Sequence, residues 1–190
     1  MKIGIFALQG AFLEHRQALE KLGVETAEIR KRAHFCDRLD GVILPGGEST
    51  VQGKLLKDEG LFAPLKEAIE GGMPVFGTCA GLILLAKKLT NDENVWLGTM
   101  NVSVKRNAYG RQLGSFRADL ETAHIGAYPA VFIRAPYIES AGKGVEVLAT
   151  HGGKIVAARQ ANMLATAFHP ELTSDLRIHE YFCNTVCAKK

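Results

Sequence analysis

A chain of 190 residues has the length of one ordinary domain, and 47% apolar against 23% charged residues is the balance of a globular protein with a sizeable core. That composition excludes a disordered or fibrous chain. The net charge is only +3 and no basic tract exceeds Arg30-Lys31-Arg32, so no nucleic acid is expected as a partner.

Glycines and Pro74 break the longest uncharged stretch, between Glu70 and Lys87, and the apolar run after Lys2 is too short for a secretory leader. No membrane association is expected, and the expected localisation is cytoplasmic. The four cysteines (Cys36, Cys79, Cys183, Cys187) form no CxxC pair. His179, Cys183 and Cys187, spaced four apart, would share one helix edge. The apolar stripe of Ile178, Tyr181, Phe182 and Val186 beside them favours packing over a metal site, and no metal or cofactor is expected.

In chain order, residues 2–8 read as a buried strand, 12–22 as a helix (Phe12, His15, Leu19, Leu22) stopped by Gly23, and 24–29 and 41–44 as strands. A Pro45-Gly46-Gly47 turn follows, and Glu48-Ser49-Thr50 resembles a helix start. Residues 61–69 read as a helix, 74–77 as a short buried strand and 80–89 as an apolar helix. This alternation, with continuously apolar strands, predicts an α/β fold with a parallel sheet covered on both faces. Beyond Leu89 the pattern changes to short alternating strands at 95–104, 115–120, 130–133, 145–150, 154–158 and 163–168, an antiparallel extension plus the last strands of the main sheet. Ser174 is expected to cap a terminal helix, with Asp175 in its first turn. No repeat or linker divides the chain, so residues 1–190 are expected to form one domain.

Ligands on parallel sheets bind at the carboxyl ends of the strands, where Gln9-Gly10, Pro45-Gly46-Gly47 and Thr78-Cys79 would converge. Gly77-Thr78-Cys79-Ala80-Gly81 has the form of a nucleophile elbow with cysteine as the nucleophile. The helix N-terminus favours a thiolate, and the Ala80 amide would face a developing oxyanion. In Phe168-His169-Pro170-Glu171, residues two apart in an extended segment point the same way, so Glu171 would orient His169 toward Cys79. The remaining histidines read as surface or packing residues, His15 being the least clear. The glycines of the Pro45 turn would let an amide, that of Gly47, complete an oxyanion hole with Ala80.

Together these segments resemble the class I, triad-type glutamine amidotransferases, which implies a three-layer, flavodoxin-like fold. The blocks Ala7-Leu8-Gln9-Gly10-Ala11-Phe12 with Glu14-His15, Arg106-Asn107-Ala108-Tyr109-Gly110-Arg111-Gln112 and Phe132-Ile133-Arg134-Ala135-Pro136 are similar to one branch, the glutaminase subunits of pyridoxal 5′-phosphate synthase. The resemblance implies Cys79 as nucleophile, with His169 and Glu171 completing the triad. It implies that L-glutamine is held by Gly47, Glu48, Ser49, Arg106, Ile133 and Arg134. It implies hydrolysis of glutamine to glutamate, with ammonia passed to a (β/α) barrel synthase subunit in a large hetero-oligomeric complex. Gln9, Gly10 and Gly46 would form a loop coupled to that partner.

Lys105, the run Val51-Gln52-Gly53-Lys54 and residues 31–40 depart from the branch. Three alternatives stand beside this reading. A deglycase or chaperone of the same fold would lack the late His-x-Glu. A non-catalytic regulatory subunit would not keep Cys79, His169 and Glu171. A glutaminase serving a different ammonia-using synthase is opposed only by the blocks at Arg106 and Phe132.

Overall fold

Five strands form one end of the main sheet: β1 (Lys2–Phe6), β2 (Glu25–Ile29), β3 (Gly41–Leu44), β4 (Val75–Thr78) and β12 (Met163–Thr166). They run parallel in the order β2-β1-β3-β4-β12. The structure is a computed structural model and describes residues 1–35, 38–106 and 114–188. Antiparallel strands continue the sheet as β11 (Lys154–Gln160), β10 (Glu146–His151), β7 (Ser115–Thr122) and β8 (Gly126–Ile133). A side branch, β9 (Tyr137–Ala141), pairs with β11 and with β6 (Met100–Lys105), which in turn pairs with β5 (Ala86–Leu89). The fold is the α/β arrangement expected, a parallel sheet with antiparallel strands appended.

Strand β4 shows how the layers form, because neighbouring residues in a strand face opposite sides. Phe76 contacts the rings of His15, His179 and Phe182, on α1 (Phe12–Lys21), α5 (Arg177–Tyr181) and the π-helical turn Phe182–Val186. Gly77 faces the other side, where a Cβ would lie 2.6 Å from the backbone of Gly81 and 2.9 Å from Leu85, both on α4 (Ala80–Leu85). Only glycine lets α4 pack this close to the sheet. Helices α2 (Ser49–Asp58) and α3 (Phe62–Glu70) are the remaining α-helices among the described residues.

Several boundaries differ from the sequence reading. The predicted helix over 80–89 ends at Leu85, because Ala86 turns extended and Ala86–Leu89 pairs with β6; an all-apolar run carries no period to mark that change. The strand predicted from residue 95 begins only at Met100. Helix α2 runs to Asp58 despite Gly53, which lies against the Trp96 ring. Strand β9 was not expected, since only Ile138 within it is buried. Ser174 is exposed and caps nothing: Thr173 Oγ1 accepts from the Asp175 N–H, and Asp175 Oδ1 accepts from the Arg177 N–H. Cys36 and the block from Asn107 to Gln112 lie outside the described residues.

The His179–Cys183–Cys187 edge is a packing surface. Its apolar neighbours Ile178, Tyr181, Phe182 and Val186 are buried, and both thiols are buried and free. Burial pushes these thiols up, Cys183 to about 11 and Cys187 to about 12. No group of three potential metal ligands occurs among the described residues, nor is any described helix long and apolar enough to cross a membrane.

His15 and His179 are fully buried between α1, α5 and β4, the packing side of the surface-or-packing reading. Burial pushes His179 down to about 4, and burial followed by the charges of His179 and His169 pushes His15 well below its usual value. Both are neutral in the fold at pH 7 and regain an ordinary affinity for protons on unfolding. The stability these two rings contribute is therefore fully present above about pH 6.5 and is lost as pH falls toward 4. His179 alone should remove about 2 kcal/mol by pH 5. Urea unfolding at pH 7.5 and pH 5 tests this, and equal stabilities would contradict the buried neutral pair.

Candidate active site

The loops after β1, β3, β4 and β12 meet at one edge of the sheet and bring Gln9, Gly46–Ser49, Cys79 and His169 together. Cys79 occupies the sharp turn from β4 to α4 with φ 48° and ψ −94°, a strained conformation for a non-glycine residue. Its N–H donates to the Thr166 carbonyl (2.8 Å), and its carbonyl accepts from the Ile83 N–H at 3.3 Å. Anchored on both sides, the elbow holds the thiol at the mouth of a cleft. Ala80 opens α4 directly behind it.

His169 reaches the same point from β12. Its N–H donates to the Val131 carbonyl (2.8 Å), and its Nδ1 lies 2.7 Å from Glu171 Oε1. The expected extended geometry is replaced here. Strand β12 ends at Thr166, and Pro170–Leu172 forms a 3₁₀ turn that brings Glu171 back under the imidazole. Proline at the first position of the turn fixes that reversal. Burial alone would push His169 down. Hydrogen bonds to Cys79 and Glu171, with the charges of both groups, outweigh it and raise the imidazole to about 10. With Nδ1 on Glu171, Nε2 is the nitrogen left for the thiol.

The glycine-rich turn is tied to the loop after β1. The Ala11 N–H donates to the Gly46 carbonyl (3.0 Å), and the Glu48 N–H to Gln9 Oε1 (2.8 Å). Gln52 Nε2 then bridges the carbonyls of Gln9 (2.8 Å) and Pro45 (3.1 Å). A Cβ on Gly46 would stand 2.3 Å from His169 Cε1, so the imidazole and this turn are in direct contact.

A cleft of about 180 Å³ opens between them, lined by Gln9, Gly47, Glu48, Ser49, Cys79, Ile83, Arg106, Ile133, Arg134 and His169. All six residues expected to hold glutamine line it. Gly10, Gly46, Ala80 and Glu171 lie behind its walls. Cys79 Sγ is 4.0 Å from the Ile133 carbonyl. Ser49 Oγ is buried with no hydrogen-bond partner among the described residues, and Arg134 is exposed with φ 42°. Arg106 pairs with Asp92, with Glu48 at 3.2 Å, and with Thr50 Oγ1 at 3.4 Å. A larger cavity of about 860 Å³ lies at the opposite, amino-terminal ends of β3, β4 and β12, lined by Asp40, Pro74, Asn162 and Cys187 among others, and contains none of the expected site residues.

Sequence reasoning missed three residues of this site. Gln52, seen only within an atypical run, stitches the two loops together. Asp92 anchors Arg106, and hydrogen bonds from the Asn94 backbone and then from Asn94 and Arg106 side chains hold its carboxyl below the usual value. His15 stands beneath Glu171, its Nε2 3.4 Å from Glu171 Oε2.

Residues 5–188 match the SNO glutamine amidotransferase family. The chain belongs to that family. It is 56% identical to the pyridoxal 5′-phosphate synthase subunit PdxT of Streptococcus pneumoniae, over all of both chains. A crystal structure of a glutamine amidotransferase matches with a TM-score of 0.93 at 46% identity, covering 98% of this chain and 99% of the other. The structure of PurLQS from Thermotoga maritima shares the fold at 15% identity, with a TM-score of 0.70 over 96% of this chain and 97% of its own.

The contact between Gly46 and His169 gives a direct test. Gly46→Ala must displace either the turn or the imidazole, and a misplacement of about 1 Å at a reacting group costs about 100-fold in rate. Glutamine hydrolysis should fall on that scale while the circular dichroism spectrum is unchanged. Full activity would mean that His169 is not held where the chemistry needs it.

Proposed function

We propose that this chain is the glutaminase subunit of a pyridoxal 5′-phosphate synthase, acting as one domain in the cytoplasm. The observation that carries the chemistry is the line Cys79–His169–Glu171 at a cleft of about 180 Å³ lined by Cys79 and His169. Full-length similarity to a subunit named for that synthase supports the pathway.

The reaction begins with the Cys79–His169 pair as thiolate and imidazolium, a state that the neighbouring Glu171 carboxylate favours. The thiolate attacks the carboxamide carbon of glutamine, and the oxyanion is met by the amides of Ala80 and Gly47. His169 gives its proton to the departing nitrogen, releasing ammonia and leaving a γ-glutamyl thioester. Neutral His169 then takes a proton from water as the water attacks the thioester. Collapse returns the thiolate and releases glutamate.

Glutamine carries both charges on its α-carbon, so its pocket must offer both signs. Arg106 already holds the carboxylates of Asp92 and Glu48, so it aligns Glu48 toward the substrate ammonium. Arg134, exposed where it lines the cleft, supplies the cation for the carboxylate. The Ser49 hydroxyl and the Gly47 and Ile133 backbone complete the set. Ammonia passes to a (β/α) barrel synthase subunit within a large hetero-oligomeric complex, and pyridoxal phosphate is a product of that assembly, not a cofactor of this chain.

Two outcomes are expected. Cys79→Ala abolishes pyridoxal phosphate formation from glutamine but leaves formation from ammonium salts intact when the synthase subunit is present; loss of both with the fold intact would contradict the division of labour. The subunit alone should also be slow. Turning the Gly46–Gly47 peptide breaks the bond from the Ala11 N–H, so the loop after β1 and the oxyanion turn move as one unit. If the active conformer is about 1% populated when free, docking on that loop raises turnover up to about 100-fold, or about 2.7 kcal/mol. Steady-state glutamine hydrolysis titrated with the synthase measures this, and full activity without it would remove the gating.

A further inference from the structure

Glu171 has two oxygens and only one is used by the triad. Oε1 receives the His169 Nδ1–H, while Oε2 is buried without a hydrogen-bond partner among the described residues. A buried carboxylate left half-satisfied is costly and free to rotate. His15 Nε2 stands 3.4 Å from Oε2. We propose that His15 is a positioning residue for the glutaminase reaction, donating from Nε2 to Glu171 Oε2 and so locking the carboxylate that orients His169. The inference rests on the reading of Glu171 as the orienting acid.

The proton on His15 can be assigned from its neighbours. Its Nε2 faces Glu171 Oε2 and Thr78 Oγ1 (3.1 Å), and its Nδ1 faces His179 Nε2 at 3.0 Å. A neutral ring carries one N–H. Placing it on Nδ1 would aim a bare lone pair at a carboxylate and leave His179 protonated on Nδ1, a buried atom with no partner among the described residues. Placing it on Nε2 gives Thr78 Oγ1 a donor and sets a protonated nitrogen 3.4 Å from Oε2, and Nδ1 then accepts from His179 Nε2–H. Only an acceptor is left unpaired at the end of the chain. Phe76 closes the remaining side of the ring, edge-on at 6.0 Å between centroids. The series His179, His15, Glu171, His169, Cys79 is thus a continuous, oriented path from α5 through α1 to the elbow.

The path explains why a histidine on α1, remote from the cleft wall, is fully buried among polar atoms. A side chain needed only to fill space beside Phe76 would be apolar. It also separates two functions for the same carboxylate: Oε1 sets the His169 tautomer, and Oε2 sets the angle of the carboxylate plane.

The test compares two amides in the full chain with its synthase subunit. In His15→Gln the side chain carries a donor and an acceptor spaced much like the two ring nitrogens and reaches the Nε2 position. In His15→Asn it meets His179 but falls short of Glu171. The asparagine variant should lose about 10-fold or more in kcat, the scale set by removing a group that orients a catalytic partner, with KM within about twofold. The titration midpoint of His169, followed by NMR of labelled histidines, should fall as well. The glutamine variant should recover both readouts. Wild-type kcat and an unmoved His169 midpoint in the asparagine variant would overturn the proposal, as would equal losses in both amides. If the asparagine variant does not fold, the near-isosteric His15→Leu takes its place with the same expectations. Unchanged turnover in Glu171→Gln would instead overturn the triad reading itself.

Discussion

A carboxylate whose side chain is fully withdrawn from water sits at the centre of this molecule. Removing an ion of this size from solvent costs several kcal/mol unless its partners are placed to meet it. The Pro170–Leu172 turn folds Glu171 back beneath the His169 ring, and α1 delivers a second imidazole to its other side. The raised His169 and the depressed His15 are two responses to this arrangement: one ring gains a proton from facing charge, the other stays neutral because burial and neighbouring rings deny it one. An ordinary apolar core would be cheaper to bury, so the polar path is retained for what it holds in place.

The segments around that carboxylate are the ones the sequence made legible. The elbow is readable because a strand, a turn with glycines and an apolar helix occur in immediate succession, and each local preference agrees with the others. His169 and Glu171 are readable from their spacing, although the geometry that joins them is a 3₁₀ turn and not a strand. What escaped notice depends on contacts distant in sequence. Gln52 is separated from Gln9 by 43 positions and His15 from His179 by 164, and no periodicity announces such pairs. Asp92 lies in a loop whose only message in sequence is polarity. The end of α4 at Leu85 was hidden for the opposite reason, because a run buried on every side looks the same as helix or strand.

Helix α1 has a dual position that follows from the parallel topology. Its N-cap Ala11 is bonded to Gly46, and its fourth residue, His15, stands under Glu171. The Gly46 turn and Glu171, far apart in sequence, therefore both rest on the start of α1. A displacement of α1 cannot reach one without reaching the other, because Gly46 and His169 are already in contact across the cleft.

The same economy governs charge in the cleft. Arg106 is drawn in by Asp92 from below and shared with Glu48 at the rim, while the Asn91 side chain clamps its backbone through bonds to N–H and carbonyl, each 3.0 Å. An arginine fixed at both ends gives up its freedom to sweep the pocket, and Glu48, which also begins α2, is fixed with it. The cleft therefore presents a carboxylate of defined position rather than a mobile pair of charges. With the order fixed before any ligand enters, the side-chain entropy that binding would otherwise remove has already been spent in folding.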